Sequence, residues 1–372
     1  MKPAGLLVTT LLALILSVSG EPDPPRGQPP PTSVAPGARP AVPVFAYYYI
    51  WFNPSTWDRP LHDFPSLGRY SSDDADVMRR HIRLAAAAGL TGFIVSWKGT
   101  EALDRRLAQL VELARAESFS LAVIYEALDA RREPLPVERV QADLTAFRQR
   151  YGDDPVFGLL GSPVVIWSGT WRYSPPEVAR VTDAVRGGLS VLASERDVEG
   201  YQRLADLVAG NAYYWSSVDP REHPGHAAKL REMGEAVHRH DGLWVAPFAP
   251  GFDARRVGGT SVVDRRDGAT LRESYSAAVA SSPDALGLIS WNEFGEATHV
   301  EPSVNFGPRY VEVLADLTGS AASAAGDRAL DSSRFAETTR ANPYAVVAFA
   351  LLGTMFLVAV GIRIARRVRG GG

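Results

Sequence analysis

The chain has 372 residues, of which 46% are hydrophobic and 22% are charged, which is enough for one large globular domain with a sizeable core. Its formal net charge of -3 gives no electrostatic basis for binding nucleic acid, so no nucleic-acid partner is expected. Cysteine is absent, which excludes disulfides, thiolate metal sites and a lipidated cysteine.

The first twenty residues have the pattern of a secretory signal peptide, which we predict over residues 1–20. Lys2 supplies the charged start, Leu6 to Leu16 an apolar middle, and Ser17 to Gly20 the small residues typical of a cleavage site. An uncleaved N-terminal anchor is the alternative interpretation. Residues 21–42 are rich in proline and are expected to form an extended, solvated linker.

Residues 43–318 show a regular alternation of short apolar or aromatic runs with amphipathic stretches of helical spacing. In the first of these stretches, Asp73 or Asp74 is a candidate N-cap and Gly89 a candidate helix end. The strand-like runs are VFAYYYIW, GFIVSW, SLAVIYEA, PVVIWSG, LSVLASE, NAYYWSS, LWVAPFAP and LGLISWNE.

Eight repeats of strand and helix predict an α/β fold, a (β/α)8 TIM barrel. A doubly wound open sheet is the competing architecture. It usually places a glycine-rich phosphate fingerprint after its first strand, and the sequence has none there.

A barrel of this kind gathers its functional groups at the carboxyl ends of its strands. The runs end in aromatic or acidic side chains: Trp51, Trp97, Glu126, Trp167, Glu195, Trp215, Phe248 and Glu293. Aromatic rings stack on the apolar faces of sugars while polar groups bond their hydroxyls, so the set favours a carbohydrate site. For any single ring, plugging the barrel end is the simpler explanation.

The segment SWNEFGEATHVEP follows the last run and places Glu293 and Glu296 three residues apart. Cleavage of a glycosidic bond requires one acid to protonate the leaving oxygen and a second carboxylate as base or nucleophile. Gly295 between them permits a tight turn, so both side chains could reach one cleft. By spacing alone, such a pair is more often a solvated turn.

WNEFGEATHVEP is similar to the signature WNEW-H-E-G-T-x-I-E-P of glycoside hydrolase family 99, the endo-α-mannosidases and their bacterial relatives. The stretch from Phe64 to Gly99 resembles that family's P-x-L-G-x-Y-S-S-x-D segment with the helix and strand that follow it. Three further matches occur in the family's order: YYYIWFNP, VIYEAL and VAPFAPGFDARR. The resemblance covers nearly the whole span from Val44 to Pro302.

The resemblance implies that Glu296 is the general acid/base and that Glu293 deprotonates the sugar's own 2-hydroxyl, in a retaining reaction through a 1,2-anhydro sugar. It implies that Glu126 bonds hydroxyls of the sugar at the cleavage point. Further candidates to line the cleft are Tyr48, His62, Tyr70, Trp97, Tyr214, Trp215, Trp291 and Asn292. His62 fits a loop position without a ligand equally well. No metal-ligand spacing stands out, and the implied mechanism requires no metal or cofactor.

The sequence departs from the family pattern around the two glutamates. Phe294, Gly295 and Ala297 stand where the family has tryptophan, histidine and glycine, which puts the linkage and the leaving group in doubt. Lys98 stands where relatives often have an aromatic or small residue, so the rim is expected to be more cationic.

Residues 319–343 are predicted to form a stalk, and residues 344–362 a transmembrane helix. The uncharged run from Ala345 to Ile362 is just long enough to cross a hydrocarbon core of about 30 Å. The tail, residues 363–372, carries four arginines and is expected to stay cytoplasmic. A buried core helix is the alternative for the apolar run.

Together these features predict a single-pass cell-membrane protein whose catalytic domain is extracytoplasmic. The expected activity is endo-acting cleavage of α-mannosidic linkages in a polysaccharide or glycolipid. Two alternatives remain open: a non-catalytic glycan-binding envelope protein, and an α-glucanase like those of the related family 71.

Overall fold

Eight parallel strands form the centre of the computed structural model, which describes residues 42–320. Each strand comes from one of the eight predicted runs: β1 (Val44–Tyr49), β2 (Gly92–Trp97), β3 (Ser120–Tyr125), β4 (Val164–Trp167), β5 (Ser190–Leu192), β6 (Gly210–Ala212), β7 (Leu243–Phe248) and β8 (Ala285–Leu288). Neighbours pair in the order β5–β4–β3–β2–β1–β8–β7–β6. A parallel bridge between Ala193 and Asn211 joins β5 to β6 and closes the sheet. The predicted barrel is confirmed, and the open-sheet alternative is wrong.

A helix follows each strand and covers the outside of the barrel, as the alternating pattern predicted. The helices are α1 (Ala75–Ala87), α2 (Glu101–Ala116), α3 (Val137–Tyr151), α4 (Pro175–Val185), α5 (Val198–Gln202), α6 (His226–His238), α7 (Ala269–Val279) and α8 (Arg309–Thr318). Of the two candidate caps of α1, Asp74 accepts from the backbone N–H groups of Asp76 and Val77. Gly89, just after α1, takes a left-handed φ of +80°.

Both faces of the strands are buried, so the sequence of each strand is apolar throughout. Residues 44 to 49 of β1 are all buried. Phe45, Tyr47 and Tyr49 point into the barrel, where they pack with Ile94 and Ile124. The alternate residues of β1 pack outward against the helices. This alternation decides which side chains at each strand end can reach a ligand.

A short antiparallel ribbon follows β7 and lies beside the segment after β8. It pairs Phe252–Asp253 with Val262–Val263. The backbone N–H of Asp253 donates to the carbonyl of Glu296 at 2.8 Å, which attaches the ribbon to the segment that carries the glutamate pair.

Several predicted segments lie outside the described residues. They are the signal peptide, the linker up to residue 41, the stalk beyond residue 320, the transmembrane helix and the basic tail. From residue 42 to residue 320, no helix combines the length and the apolar character needed to cross a membrane.

Candidate active site

A cleft of about 560 Å³ opens at the carboxyl ends of the strands, within the range of about 300–1,000 Å³ usual for small-molecule sites. Carboxylates, aromatic rings and two arginines contribute to its walls: Tyr49, Trp51, Glu126, Arg132, Trp171, Arg196, Tyr213, Tyr214, Trp215, Glu293 and Glu296. Within residues 42–320, there is no group of three or more His, Asp or Glu side chains that could hold a metal ion.

The turn after β8 brings both glutamates to this cleft. The backbone of Glu293 is fixed by a hydrogen bond from its N–H to the Ser290 hydroxyl at 2.9 Å. Its Oε1 accepts from the Gly295 N–H at 2.7 Å. A Cβ at residue 295 would lie 2.7 Å from that same oxygen, so only glycine leaves room for this arrangement. Glu296 follows directly, and its side chain lines the same pocket.

Burial and mutual repulsion favour the protonated forms of these acids. Burial, reinforced by the charge of Glu296, raises the pKa of Glu293 from 4.5 to about 7. Burial also raises the pKa of Glu296, against the opposing charge of Arg132. Two carboxyls in one pocket titrate as a pair, so the proton is shared between them rather than assigned to one residue. Glycosidic cleavage requires an acid and a base together, and two carboxyls in one cleft can supply both.

Glu126 follows β3 and contributes a third carboxyl to the pocket. Its Oε1 accepts from the Ser96 hydroxyl at 2.8 Å, which fixes its orientation. Burial raises its pKa, partly offset by the Ser96 hydrogen bond and by the charges of Lys98 and Arg132. A positioned carboxyl with one occupied oxygen can accept a hydroxyl of a bound sugar on the other.

A buried arginine clamps the chain just beyond the glutamates. Arg265 Nη2 donates to the carbonyls of Ala297 and His299, both at 2.7 Å. Its guanidinium carbon lies 4.6 Å from the ring centroid of Phe306 and 4.4 Å from that of Tyr310. Burial lowers its pKa to about 10, so it stays charged near neutral pH. The contacts fix the far end of the catalytic turn.

Phe294, which replaces the family's tryptophan, faces the core instead of the cleft. It is fully buried, stacks on His299 at 4.0 Å and meets Trp57 edge to face at 5.6 Å. His299 Nε2 lies 3.2 Å from Asp63 Oδ2, while burial lowers the pKa of His299 to about 4 and keeps the ring neutral. Phe294 is therefore an anchor of the turn.

Five of the predicted site residues line the cleft together: Glu126, Tyr214, Trp215, Glu293 and Glu296. They come from the carboxyl ends of β3, β6 and β8, which closure of the barrel brings around one rim. The Tyr214 hydroxyl lies 2.6 Å from that of Tyr49, so this pair belongs to the floor of the site.

Tyr48 and Trp97 were expected to line the cleft, and the structure places both on the outer face of the barrel. The Tyr48 hydroxyl lies 3.0 Å from His81 Nδ1 of α1, and the Trp97 Nε1 donates to Asp104 of α2 at 2.7 Å. Both side chains are buried beneath the helices. Alternation along the strand turns these two positions outward and their neighbours inward.

Trp291 is also placed outside the cleft. It follows the end of β8 and is fully buried, with its ring 5.9 Å from His81 and 5.7 Å from Phe93 between centroids. Because strand geometry ends at Leu288, the alternation of the strand no longer predicts which way this side chain faces.

Asn292 and Tyr70 lie behind the cleft wall. The Asn292 amide accepts from the Tyr49 N–H at 2.8 Å and donates to the Tyr49 carbonyl at 3.0 Å, which joins the end of β8 to the end of β1. The Tyr70 hydroxyl donates to Glu301 Oε2 at 2.9 Å. His62 is not in the wall, and its Nε2 lies 3.2 Å from Asp253 Oδ1. These three were expected as lining groups and instead contact the surrounding protein.

Residues that line the cleft without having been predicted to do so include Tyr49, Arg132, Trp171, Arg196 and Tyr213, while Trp51 was expected only as one of the aromatic strand ends. Tyr49 shares its inward face with Phe45 and Tyr47, but β1 is buried on both faces, so its sequence did not indicate which face points inward. The two arginines lie in irregular loops, where no periodic pattern indicates direction.

A (β/α)8 barrel with paired carboxylates and aromatic walls at its strand ends has the architecture of a glycoside hydrolase. The family model described as glycosyl hydrolase family 99 matches residues 52–314. The chain therefore belongs to glycosyl hydrolase family 99, and it is an enzyme of the glycoside hydrolase class. No protein with a curated description matches it.

Several solved structures share the fold of this chain. The GH99 endo-alpha-mannosidase from Bacteroides thetaiotaomicron in complex with BIS-TRIS-Propane is 21% identical, with a TM-score of 0.66 over 75% of this chain and 97% of that one. A second structure of that protein gives 20% identity and a TM-score of 0.65 over 74% and 96%. A "Glycoside hydrolase-like protein" gives 16% and 0.63 over 76% and 95%. At such identities the likeness is one of fold.

Proposed function

We propose that this enzyme is an endo-acting, retaining α-mannosidase. The observation that carries the proposal is that Glu293 and Glu296 line one cleft, with the pKa of each raised by burial. Family membership and the fold shared with a Bacteroides endo-alpha-mannosidase support the choice of substrate.

In the first step, Glu296 donates its proton to the glycosidic oxygen as the bond from that oxygen to C1 breaks. Glu293 accepts the proton of the sugar's 2-hydroxyl, and O2 forms a bond to C1. The products of this step are the free leaving alcohol and a 1,2-anhydro sugar. A base whose pKa is near 7 suits a proton transfer at neutral pH.

In the second step, ionised Glu296 accepts a proton from water as the water oxygen attacks C1. The C1–O2 bond breaks, and Glu293 returns its proton to O2. Each step inverts C1, so the configuration is retained overall. The two carboxyls finish in their starting protonation states.

The stereochemistry of this reaction selects mannose. Its 2-hydroxyl is trans to an α-linked leaving group and can attack C1 from the opposite side. The equatorial 2-hydroxyl of an α-glucoside lacks that alignment. The floor tyrosines Tyr49 and Tyr214 and the Glu126 carboxyl are available to bond the remaining hydroxyls.

A leaving-group experiment separates the two roles. On α-manno-oligosaccharides, Glu293→Gln and Glu296→Gln should each lower turnover by about 10²–10⁴-fold. With an α-mannosyl substrate whose leaving group needs no proton, such as a fluoride, release of that group by Glu296→Gln should recover, while Glu293→Gln stays impaired. Glu232→Gln, on the exposed side of α6, is the matched control.

Equal recovery of both variants, or wild-type turnover by either, would overturn the assignment of roles. Binding of α-mannan without any hydrolysis by the wild type would favour the glycan-binding alternative, and cleavage of α-glucan would favour the glucanase. Product configuration, followed by NMR at the anomeric proton, must show initial release of the α-anomer.

The proposed location of the enzyme is the outer side of the cytoplasmic membrane, with a C-terminal anchor. The apolar run at residues 345–362, the basic tail after it and the N-terminal signal pattern support this orientation. Protease added to intact cells should degrade the catalytic domain. Recovery of the full-length protein in the soluble fraction of lysed cells, and not with the membranes, would contradict the proposed anchor.

A further inference from the structure

A strained turn presents Arg132 at the cleft. Asp129 Oδ1 accepts from the backbone N–H groups of Arg131 at 2.8 Å and Glu133 at 2.9 Å, which builds the turn. Arg132 at its tip has a left-handed φ of 66°. Residues with a side chain rarely adopt this conformation, and such strain is concentrated at functional sites. The Asp129 carboxylate is therefore engaged by backbone N–H groups, while the Arg132 side chain lines the cleft.

Arg196 lines the same cleft from the loop after β5. Its guanidinium carbon lies 4.0 Å from the ring centroid of Trp171, which belongs to the loop after β4. Stacking holds the plane of a guanidinium and leaves its N–H edges available for an acceptor. Because β3, β4 and β5 are neighbours, Arg132, Trp171 and Arg196 form one side of the cleft.

Neither guanidinium forms an ion pair with a carboxylate anywhere in the span 42–320. Other exposed arginines near this end do: Arg172 pairs with Glu133, and Arg203 pairs with Glu195. Arg132 acts electrostatically on Glu126 and Glu296 without contacting them. Two oriented, unpaired guanidiniums in an otherwise acidic pocket are the arrangement used to bind phosphate or carboxylate groups.

We propose that Arg132 and Arg196 form an anion-binding subsite and that the natural substrate is a glycan bearing phosphate or carboxylate groups close to the cleaved bond. This inference rests on the proposed function for the identity of the sugar. It adds the requirement that the substrate carry a negative charge, which the two catalytic glutamates do not impose. Lys98, whose Nζ donates to the Leu128 carbonyl at 3.2 Å, adds further positive charge beside Glu126.

Binding without turnover tests the subsite directly. The full-length Glu293→Gln chain is titrated by calorimetry with one α-manno-oligosaccharide in three forms: neutral, carrying a 6-phosphate, and oxidised to a 6-carboxylate. We expect one or both anionic forms to bind about tenfold more tightly than the neutral form. The difference should shrink as salt is raised, because the arginines are exposed. The two anionic arms distinguish phosphate from carboxylate recognition.

Single substitutions in that background identify the groups responsible. Arg132→Gln and Arg196→Gln should each lower the ratio of anionic to neutral affinity to about twofold or less, and Arg132→Lys should keep part of it. Arg231→Gln, an exposed position on α6, is the charge-matched control and should leave the ratio unchanged. Equal affinity for all three glycans, or a ratio that survives both glutamine variants, would overturn the subsite.

Failure of the proposed subsite can be distinguished from failure of the proposed α-mannosidase activity. Hydrolysis of neutral and anionic mannosides at equal rates would uphold the activity and refute the subsite. A strong preference for anionic glycans without cleavage of any α-mannoside would uphold the subsite and refute the activity.

Discussion

The segment after β8 carries acids in two opposite environments. Glu293 and Glu296 face the cleft, and burial raises the pKa of each. Glu301, a few residues later, is fully enclosed: its Oε2 accepts from the Tyr70 hydroxyl at 2.9 Å and its Oε1 lies 3.1 Å from His81 Nε2. All three are glutamates close to one turn, yet only the first two face solvent-filled space.

The comparison shows that a buried carboxyl serves the fold where protein groups engage both of its oxygens and is available for chemistry where it faces the cleft. Glu301 has a partner on each oxygen, so its burial stabilises the fold. At Glu293, burial and the charge of Glu296 favour proton uptake, against the hydrogen bonds from the backbone N–H groups of Gly295 and Glu296. The same residue type therefore serves chemistry in one place and architecture in the other.

The largest expected effect sharpens this contrast at the cleft. Glu293→Gln should lower kcat on α-manno-oligosaccharides by about 10²–10⁴-fold, because amide nitrogen and oxygen cannot take up the 2-hydroxyl proton. Its circular dichroism should match that of the wild type. Undiminished kcat would place the reactive base elsewhere.

Substitution of the enclosed Glu301 is expected to lower stability. Glu301→Ala should lower the free energy of unfolding by about 3 kcal/mol, since it leaves His81 and the Tyr70 hydroxyl buried without their partner. Glu301→Gln retains an acceptor for Tyr70 and should cost less. Urea denaturation of both variants measures the difference, and an unchanged midpoint for Glu301→Ala would show that the enclosed network contributes nothing.

Stability at two pH values tests the environment of Glu293. The folded protein holds this proton more tightly than the unfolded chain, whose carboxyl titrates near 4.5, so ionisation costs stability as pH rises from 4.5 through about 7. Glu293→Gln removes that cost and should be more stable than the wild type at pH 8, by up to about 3 kcal/mol at about 1.4 kcal/mol per pKa unit. At pH 4 the two should unfold alike. A gain of equal size at both pH values would exclude titration as its cause.

The smallest expected effect compares two adjacent tyrosines of β1. Tyr48→Phe breaks a buried contact with His81 and should cost about 1 kcal/mol of stability with little change in kcat/KM. Tyr49→Phe removes a hydroxyl from the cleft floor and should lower kcat/KM on the same substrate. A loss of activity confined to Tyr48→Phe would reverse the assignment of inner and outer faces.

Much of this could be predicted from the sequence. Eight apolar runs separated by amphipathic stretches predicted eight strands and a barrel, because the repeating connection leaves few other topologies. Glu126 and Glu293 stand at strand ends, where barrels place their functional groups, but the roles of Glu126, Glu293 and Glu296 were predicted from the resemblance to glycoside hydrolase family 99.

The direction of individual aromatic side chains could not be predicted in the same way. Strand β1 is buried on both faces, so its apolar pattern contains no information about which tyrosine points inward. Tyr48 and Trp97 were named as candidates through the resemblance to glycoside hydrolase family 99, and the helices cover them. Arg132 depends on a turn built by Asp129, a local geometry that no periodicity reveals.

The missing side chain at Gly295 limits how this turn can vary. A methyl group there would press on one oxygen of Glu293. A larger residue is accommodated there only if the Glu293 side chain changes rotamer or the turn shifts, so the orientation of this acid is tied to the absence of a side chain two residues later.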